Sequence, residues 1–171
     1  MEFSELVKSR YSVRKFDERP IEEEKLQSIL EAGLVAPTAK NYQPFKIYVL
    51  KSEDALNKIK EATKCTYGAP VVLMLTYDLA QEWLNPLDPS CTSGQQDVSI
   101  VATHIMLQAW ELGVGSCWVN FFEPTLAAEL FEIPDTEIPL LLMPLGYPAE
   151  GSEPGPNHAA KRPQEELVVV L

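Results

Sequence analysis

Apolar positions along this chain switch repeatedly between the helical period and the strand period. Residues 2–9 read as a short amphipathic helix, with Phe3, Leu6 and Val7 on one face. Asp17-Glu18-Arg19-Pro20 breaks that pattern. A second helix is predicted over roughly 22–33, with acidic residues in its first turn, Leu26, Ile29, Leu30 and Leu34 along one side and Gly33 near its end. Pro37 disfavours helix before it, so Ala36-Pro37-Thr38-Ala39-Lys40-Asn41 reads as a loop. Phe45 to Leu50 alternates and suits a strand, and Ser52-Glu53-Asp54 opens a helix to about Thr63. Val71 to Leu75 is a continuous apolar run, the pattern of a strand covered on both faces.

Residues 80–94 are rich in Pro, Ser and Gly and read as a long loop or lid. Gln95 to Leu112 is helical and apolar nearly all round, which places it in a core or a subunit interface. Ser116 to Asn120 is predicted as a strand, Pro124 to Phe131 as a helix and Leu140 to Leu145 as another buried strand. The chain closes on Leu167-Val168-Val169-Val170-Leu171, an apolar strand-like tail that needs a partner, since a free edge of that kind aggregates. Strands alternating with helices give one main sheet in an α/β or α+β class, and residues 1–171 read as a single domain. No stretch reaches the roughly 18 apolar residues of a membrane helix, and the N-terminus lacks a secretory pattern, so a cytoplasmic location is expected.

Charge narrows the function. The formal net charge is -11, from 25 acidic and 14 basic residues, and such a surface repels nucleic acid and anionic lipid. Cys65, Cys91 and Cys117 are an odd set without C-x-x-C spacing, which argues against a disulfide framework or a structural zinc site. Gly113-Val114-Gly115 lacks the third glycine of a dinucleotide loop, and neither a Walker loop nor a G-x-S-x-G turn is present. His104 falls within the apolar helix and reads as a hydrogen-bonded core residue; His158, in a Pro/Gly-rich stretch, reads as solvated. Few side chains are equipped for catalysis, so an enzyme of this composition would rely on an organic cofactor.

Against that acidic background, residues 8–16 read Lys-Ser-Arg-Tyr-Ser-Val-Arg-Lys-Phe, with four basic residues and no acidic one. In an extended segment Arg10, Ser12 and Arg14 project to one side. Two guanidiniums and a hydroxyl converging on one point suit a phosphate; the alternative is a solvated basic turn.

Ser9 to Phe16 resembles the opening motif of the nitroreductase family, roughly R-x-S-x-R-x-F. Glu31 to Phe45 is similar to that family's E-A-x-x-A-P-S-A-x-N-x-Q-P-W segment, and Glu111 to Val119 to its E-L-G-L-G-S-C-W-I. Pro144-Leu145-Gly146-Tyr147-Pro148 and Lys161-Arg162-Pro163 complete the order. Thr38 stands for the usual serine and Phe45 for the usual tryptophan, while Lys40 adds a charge beside the loop. The resemblance implies an α+β fold with a mostly antiparallel central sheet, an intertwined homodimer with C-terminal strand exchange, and FMN at the dimer interface. It implies that Arg10, Tyr11, Ser12 and Arg14 hold the phosphate and ribityl end, joined by Lys161 or Arg162. Pro37, Thr38, Ala39 and Asn41 would approach the ring from the other subunit, with Gln43 nearby, and Trp118, Val119 and Asn120 would present backbone near its reactive edge. The activity implied is reduction of a nitroaromatic, quinone or related acceptor by NAD(P)H, in ping-pong order through flavin N5. A flavin-binding or flavin-modifying relative without turnover, and a homodimer without cofactor, are the alternatives.

Overall fold

The computed structural model describes all residues, Met1–Leu171. Strand β2 (Val71–Asp78) is the member on which the rest is assembled. It pairs antiparallel with β1 (Phe45–Leu50) on one side and with β4 (Glu137–Gly146) on the other; β3 (Gly115–Ser116) adds antiparallel to β4. The sheet order is β1-β2-β4-β3, in a register that sets Ile47 opposite Leu75 and Leu73 opposite Met143.

Side-chain alternation sends Leu73, Leu75, Leu141, Met143 and Leu145 to one face, against α2 (Glu23–Leu34) and α4 (Gly94–Glu111). Val72, Met74 and Leu142 go to the other face, against α3 (Glu53–Ala62) and α5 (Pro124–Leu130). Helices therefore cover both faces, which is why Val71–Leu75 is unbrokenly apolar although its neighbours run antiparallel. The predicted start of α3 has its physical cause: the Ser52 hydroxyl accepts from the Ala55 N–H at 3.1 Å. α2 and α4 approach closely because Gly33 has no side chain; a Cβ there would stand 2.9 Å from Ile105 Cδ1.

After α1 (Phe3–Ser9), residues 11–17 run along the sheet edge beyond β3. The Val13 N–H donates to the Ser116 carbonyl at 2.9 Å, Asp17 to Tyr147 at 2.8 Å, and Ala149 back to Lys15 at 3.0 Å. Val13 and Phe16 are buried under this arm.

Two expectations need correction. The strand predicted over 116–120 shrinks to β3 plus a lone bridge between Val119 and Leu142. Cys117 donates to Pro144, but Pro144 has no N–H to return, so the ladder breaks there. The closing tail does not form a strand within its own chain: Gln164–Leu167 is a short helix, α6, and Val168 to Leu171 extend from it, exposed.

Candidate functional site

Ser12 and Arg14 stand on the outward side of the arm, since Val13 between them points inward. They line a cavity of about 510 Å³ with Gly155, Pro156, Asn157 and His158. Arg10 lines the adjoining space, beyond His158, which borders both cavities. It is the C-cap of α1, and it opens into a neighbouring cavity of about 590 Å³ with Val7, Lys8, His158, Ala159 and Lys161. Neither lining contains a carboxylate. In a chain of net charge -11 that is a local reversal of the overall charge.

Beneath the arm lies Cys117. Burial pushes its thiol up, against the pull of the nearby Arg14 guanidinium, so it stays a protonated packing residue and not a nucleophile. Burial, with the Cys65 thiol, likewise pushes the Tyr67 phenol up to about 12. Tyr11 is a strut. Its ring meets Trp110 edge-on at 5.1 Å and its hydroxyl donates to the Ser152 carbonyl at 3.2 Å. Arg162 pairs with Glu166 at 3.1 Å on the protein surface and joins neither cavity lining.

The loop around residue 40 is built differently. Lys40, Asn41 and Gln43 all hold left-handed backbone, at φ 55°, 56° and 52°. Asparagine adopts that region readily; lysine and glutamine do so at a cost, and such strain clusters at binding sites. Side-chain bonds fix it. The Gln43 N–H donates to Thr38 Oγ1 at 3.0 Å, and Gln43 Nε2 donates to Asn41 Oδ1 at 3.1 Å. The Ala39 N–H donates to Asp97 Oδ1 at 2.8 Å, and the Ser93 hydroxyl donates to Asp97 Oδ2 at 2.7 Å. Asp97 is only 2% exposed, in the first turn of α4, where the helix dipole favours negative charge. Pro37, Lys40, Asn41 and Gln43 themselves face outward, with Thr38 and Ala39 half-buried.

Asn120 lines a third cavity, of about 500 Å³, between residues 60–64 and 121–123. The Trp118 indole donates to Asn120 Oδ1 at 2.9 Å and fixes its amide. Val119 is buried and works in the sheet.

One chain does not bring these parts together. The strained loop is bound to Asp97 at the start of α4, whereas Tyr11 of the arm rests on Trp110 at its end. Those positions are ~20 Å apart at about 1.5 Å rise per residue. The outer face of α4 is also uncovered. Thr103, His104 and Leu107 form a groove of about 770 Å³ with Phe3, Leu6 and Val35. His104 is thus half-buried on a groove wall and not in the core, with Nδ1 2.9 Å from the Ile100 carbonyl. Asp97 is the residue that the sequence reading missed, and His158, read there as solvated, is half-buried between the two cationic cavities. An acid in the first turn of a helix, among Gln95, Gln96 and Ser99, looks like ordinary dipole compensation.

The nitroreductase family model matches residues 7–67 and 63–147. The chain is 33% identical over 164 residues to a Methanothermobacter thermautotrophicus protein described as an NADH dehydrogenase/NAD(P)H nitroreductase, covering 88% of this chain and 79% of that one. A nitroreductase family protein of Clostridium difficile 630 superposes at a TM-score of 0.92, with 36% identity over 99% of this chain and 98% of that one. An FMN-dependent nitroreductase of Clostridium difficile R20291 superposes at 0.79, with 26% identity over 98% of each. The fold is nitroreductase-like, and the chain belongs to the nitroreductase family.

Proposed function

We propose that this chain, acting as one domain over 1–171, is an FMN-dependent oxidoreductase that uses NAD(P)H to reduce nitroaromatic, quinone or related acceptors. The observation that carries this reading is the carboxylate-free cationic pair of cavities around Arg10, Ser12, Arg14 and Lys161. A phosphate dianion fits that donor set: guanidinium forks and an ammonium supply charge-assisted bonds, and Ser12 adds a hydroxyl. The similar proteins described above carry FMN and NAD(P)H in their names. FMN, when bound, would supply the hydride-transfer chemistry that links NAD(P)H to the acceptor.

The protein's own residues position and exclude. Arg10, Ser12, Arg14 and Lys161 anchor the phosphate. Asn120, its amide set by Trp118, presents a polar group at the ring's edge. Pro37, Thr38, Ala39, Asn41 and Gln43 form a pre-shaped wall whose backbone is held by Asp97 and Thr38. That wall stands ~20 Å from the arm of its own chain, so we assign it to the site of a second copy. A homodimer also accounts for the open groove on α4 and for the exposed tail of Val168 to Leu171. Three free thiols suit a reducing, cytoplasmic compartment.

The test is anaerobic mixing of FMN-loaded protein with NADPH or NADH. Bleaching of the yellow flavin, with recovery on adding a quinone, is expected. Protein that binds FMN and never bleaches would overturn the oxidoreductase reading in favour of a flavin-binding protein without turnover.

A further inference from the structure

Within the turn of residues 38–43, the polar side chains of Thr38, Asn41 and Gln43 are bonded to one another or to the turn's own backbone. Lys40 is the exception. It lies in the middle of the turn at φ 55° and ψ 14°, the left-handed region, where an L side chain crowds its own backbone. The bonds around it keep it there. The Asn41 N–H donates to the Thr38 carbonyl at 3.0 Å, the Tyr42 N–H to the Ala39 carbonyl at 3.1 Å, and the Ala39 N–H to the buried Asp97 at 2.8 Å. The backbone therefore cannot relax, and Lys40 is left exposed. Lys46 and Lys51, further along, are engaged by Glu137 and Glu23, but no hydrogen bond or ion pair joins the Lys40 ammonium to the chain.

Strain of this kind persists only where the surroundings impose it, and it collects at ligand sites. Asparagine or glycine would hold the same turn at less cost. Lysine adds a flexible stem and a compact positive charge, in a chain whose net charge of -11 repels small anions. We propose that Lys40 is a specificity-determining residue of the acceptor cleft, a cation that selects ligands carrying an oxyanion beside the reacting ring. This rests on the reading above, in which the wall of residues 37–43 borders the flavin site of a second copy. Two kinds of ligand bring that chemistry to the cleft: an aromatic acceptor with a carboxylate, and the phosphates of NAD(P)H. Lys40 takes no part in electron transfer. It holds the anion equally in the bound and the reacting state, so it acts on KM and not on kcat. Because Lys40 is solvated, the contact has the strength of a surface ion pair, about fivefold in KM, and salt screens it.

The experiment is steady-state kinetics of FMN-loaded wild type, Lys40→Asn and Lys40→Arg with para-nitrobenzoate, its neutral counterpart para-nitrobenzamide, NADH and NADPH. Asparagine keeps the left-handed turn and removes the charge; arginine keeps the charge. Lys40→Asn should raise KM for para-nitrobenzoate about fivefold. Its kcat, its KM for para-nitrobenzamide and its FMN affinity should match wild type, and its urea midpoint should be no lower. Lys40→Arg should behave as wild type, and an ionic strength of about 1 M should remove the difference. A rise in KM for NADH or NADPH instead would assign the oxyanion to the nucleotide's phosphates and support the same role. Equal KM changes for para-nitrobenzoate and para-nitrobenzamide, no change for any ligand, or a fall in FMN affinity that accounts for the loss would overturn the proposal while leaving the oxidoreductase reading in place. Wild type that turns over none of these ligands would overturn both.

Discussion

Arg10 and Arg14 occupy adjoining cavities, and the pair is expected to act on one anion. Replacing both by alanine should abolish FMN retention on gel filtration while the circular dichroism spectrum and elution volume stay unchanged. Wild-type retention would place the anchor elsewhere. The charge run was legible as an anion site because four basic residues in a chain of charge -11 are conspicuous. That two adjoining cavities, joined at His158, share these cations was not legible, because His158 and Lys161 come from the far end of the chain. Asp97 teaches the complementary lesson. Its carboxylate satisfies the Ala39 N–H and the Ser93 hydroxyl in a nearly solvent-free place. Asp97→Ala leaves the buried Ser93 hydroxyl and the half-buried Ala39 N–H without their acceptor and should destabilise the protein by about 2–4 kcal/mol in urea unfolding. It should also release the strained loop, so FMN affinity falls with stability. A fall in neither would show that the loop holds itself.

At the level of elements, β3 and the basic arm meet where neither has room to spare. A Cβ on Gly115 would stand 2.6 Å from Val13 Cγ2, with the Gly146 carbonyl 3.3 Å away. Gly115→Ala should therefore lift the arm from the sheet edge and weaken FMN binding, by about tenfold for a lost clamp geometry, while the sheet survives. Unchanged affinity would show that the arm does not need that contact. The glycine was visible in the sequence, but only the pairing of strands showed what it lies against. Another element-scale feature is Glu137, at the start of β4 and 3% exposed. Burial opposes its charge, yet the Lys46 ammonium, the Tyr48 hydroxyl at 2.7 Å and the Thr76 hydroxyl at 3.2 Å outweigh that and hold its carboxyl below the usual range. The folded state is then stabilised above the unfolded carboxylate value, near pH 4.3, and loses this contribution as pH falls through the lower folded value. The stability advantage of wild type over Glu137→Gln should be present at neutral pH and vanish in strong acid. An advantage that persists in strong acid would count against it.

For the whole molecule, the strained loop and the phosphate arm belong to opposite ends of α4. On the proposed reading a complete site takes residues from two copies. Removing Val168 to Leu171 strips exposed apolar residues that have no packing in their own chain. The truncated protein should sediment as a weaker dimer and lose FMN in proportion, with its monomer fold intact. A truncation that leaves the dimer and its flavin unchanged would assign the tail no role in assembly.

The sequence by itself determined most elements and the family, because side-chain period and ordered motifs are local properties. Residues 71–75 announce their burial, and 45–50 and 95–112 their strand and helix, through their own neighbours, and the arm announces itself by charge. Tertiary structure alone decided the strand order, the shortening of β3 opposite Pro144, the burial of Asp97 under a loop 58 residues earlier and the place of His158 between two cavities. Each of these joins residues far apart in the chain. Which side chain will supply a missing hydrogen bond or a converging charge is settled by packing, and packing carries no local periodicity to read.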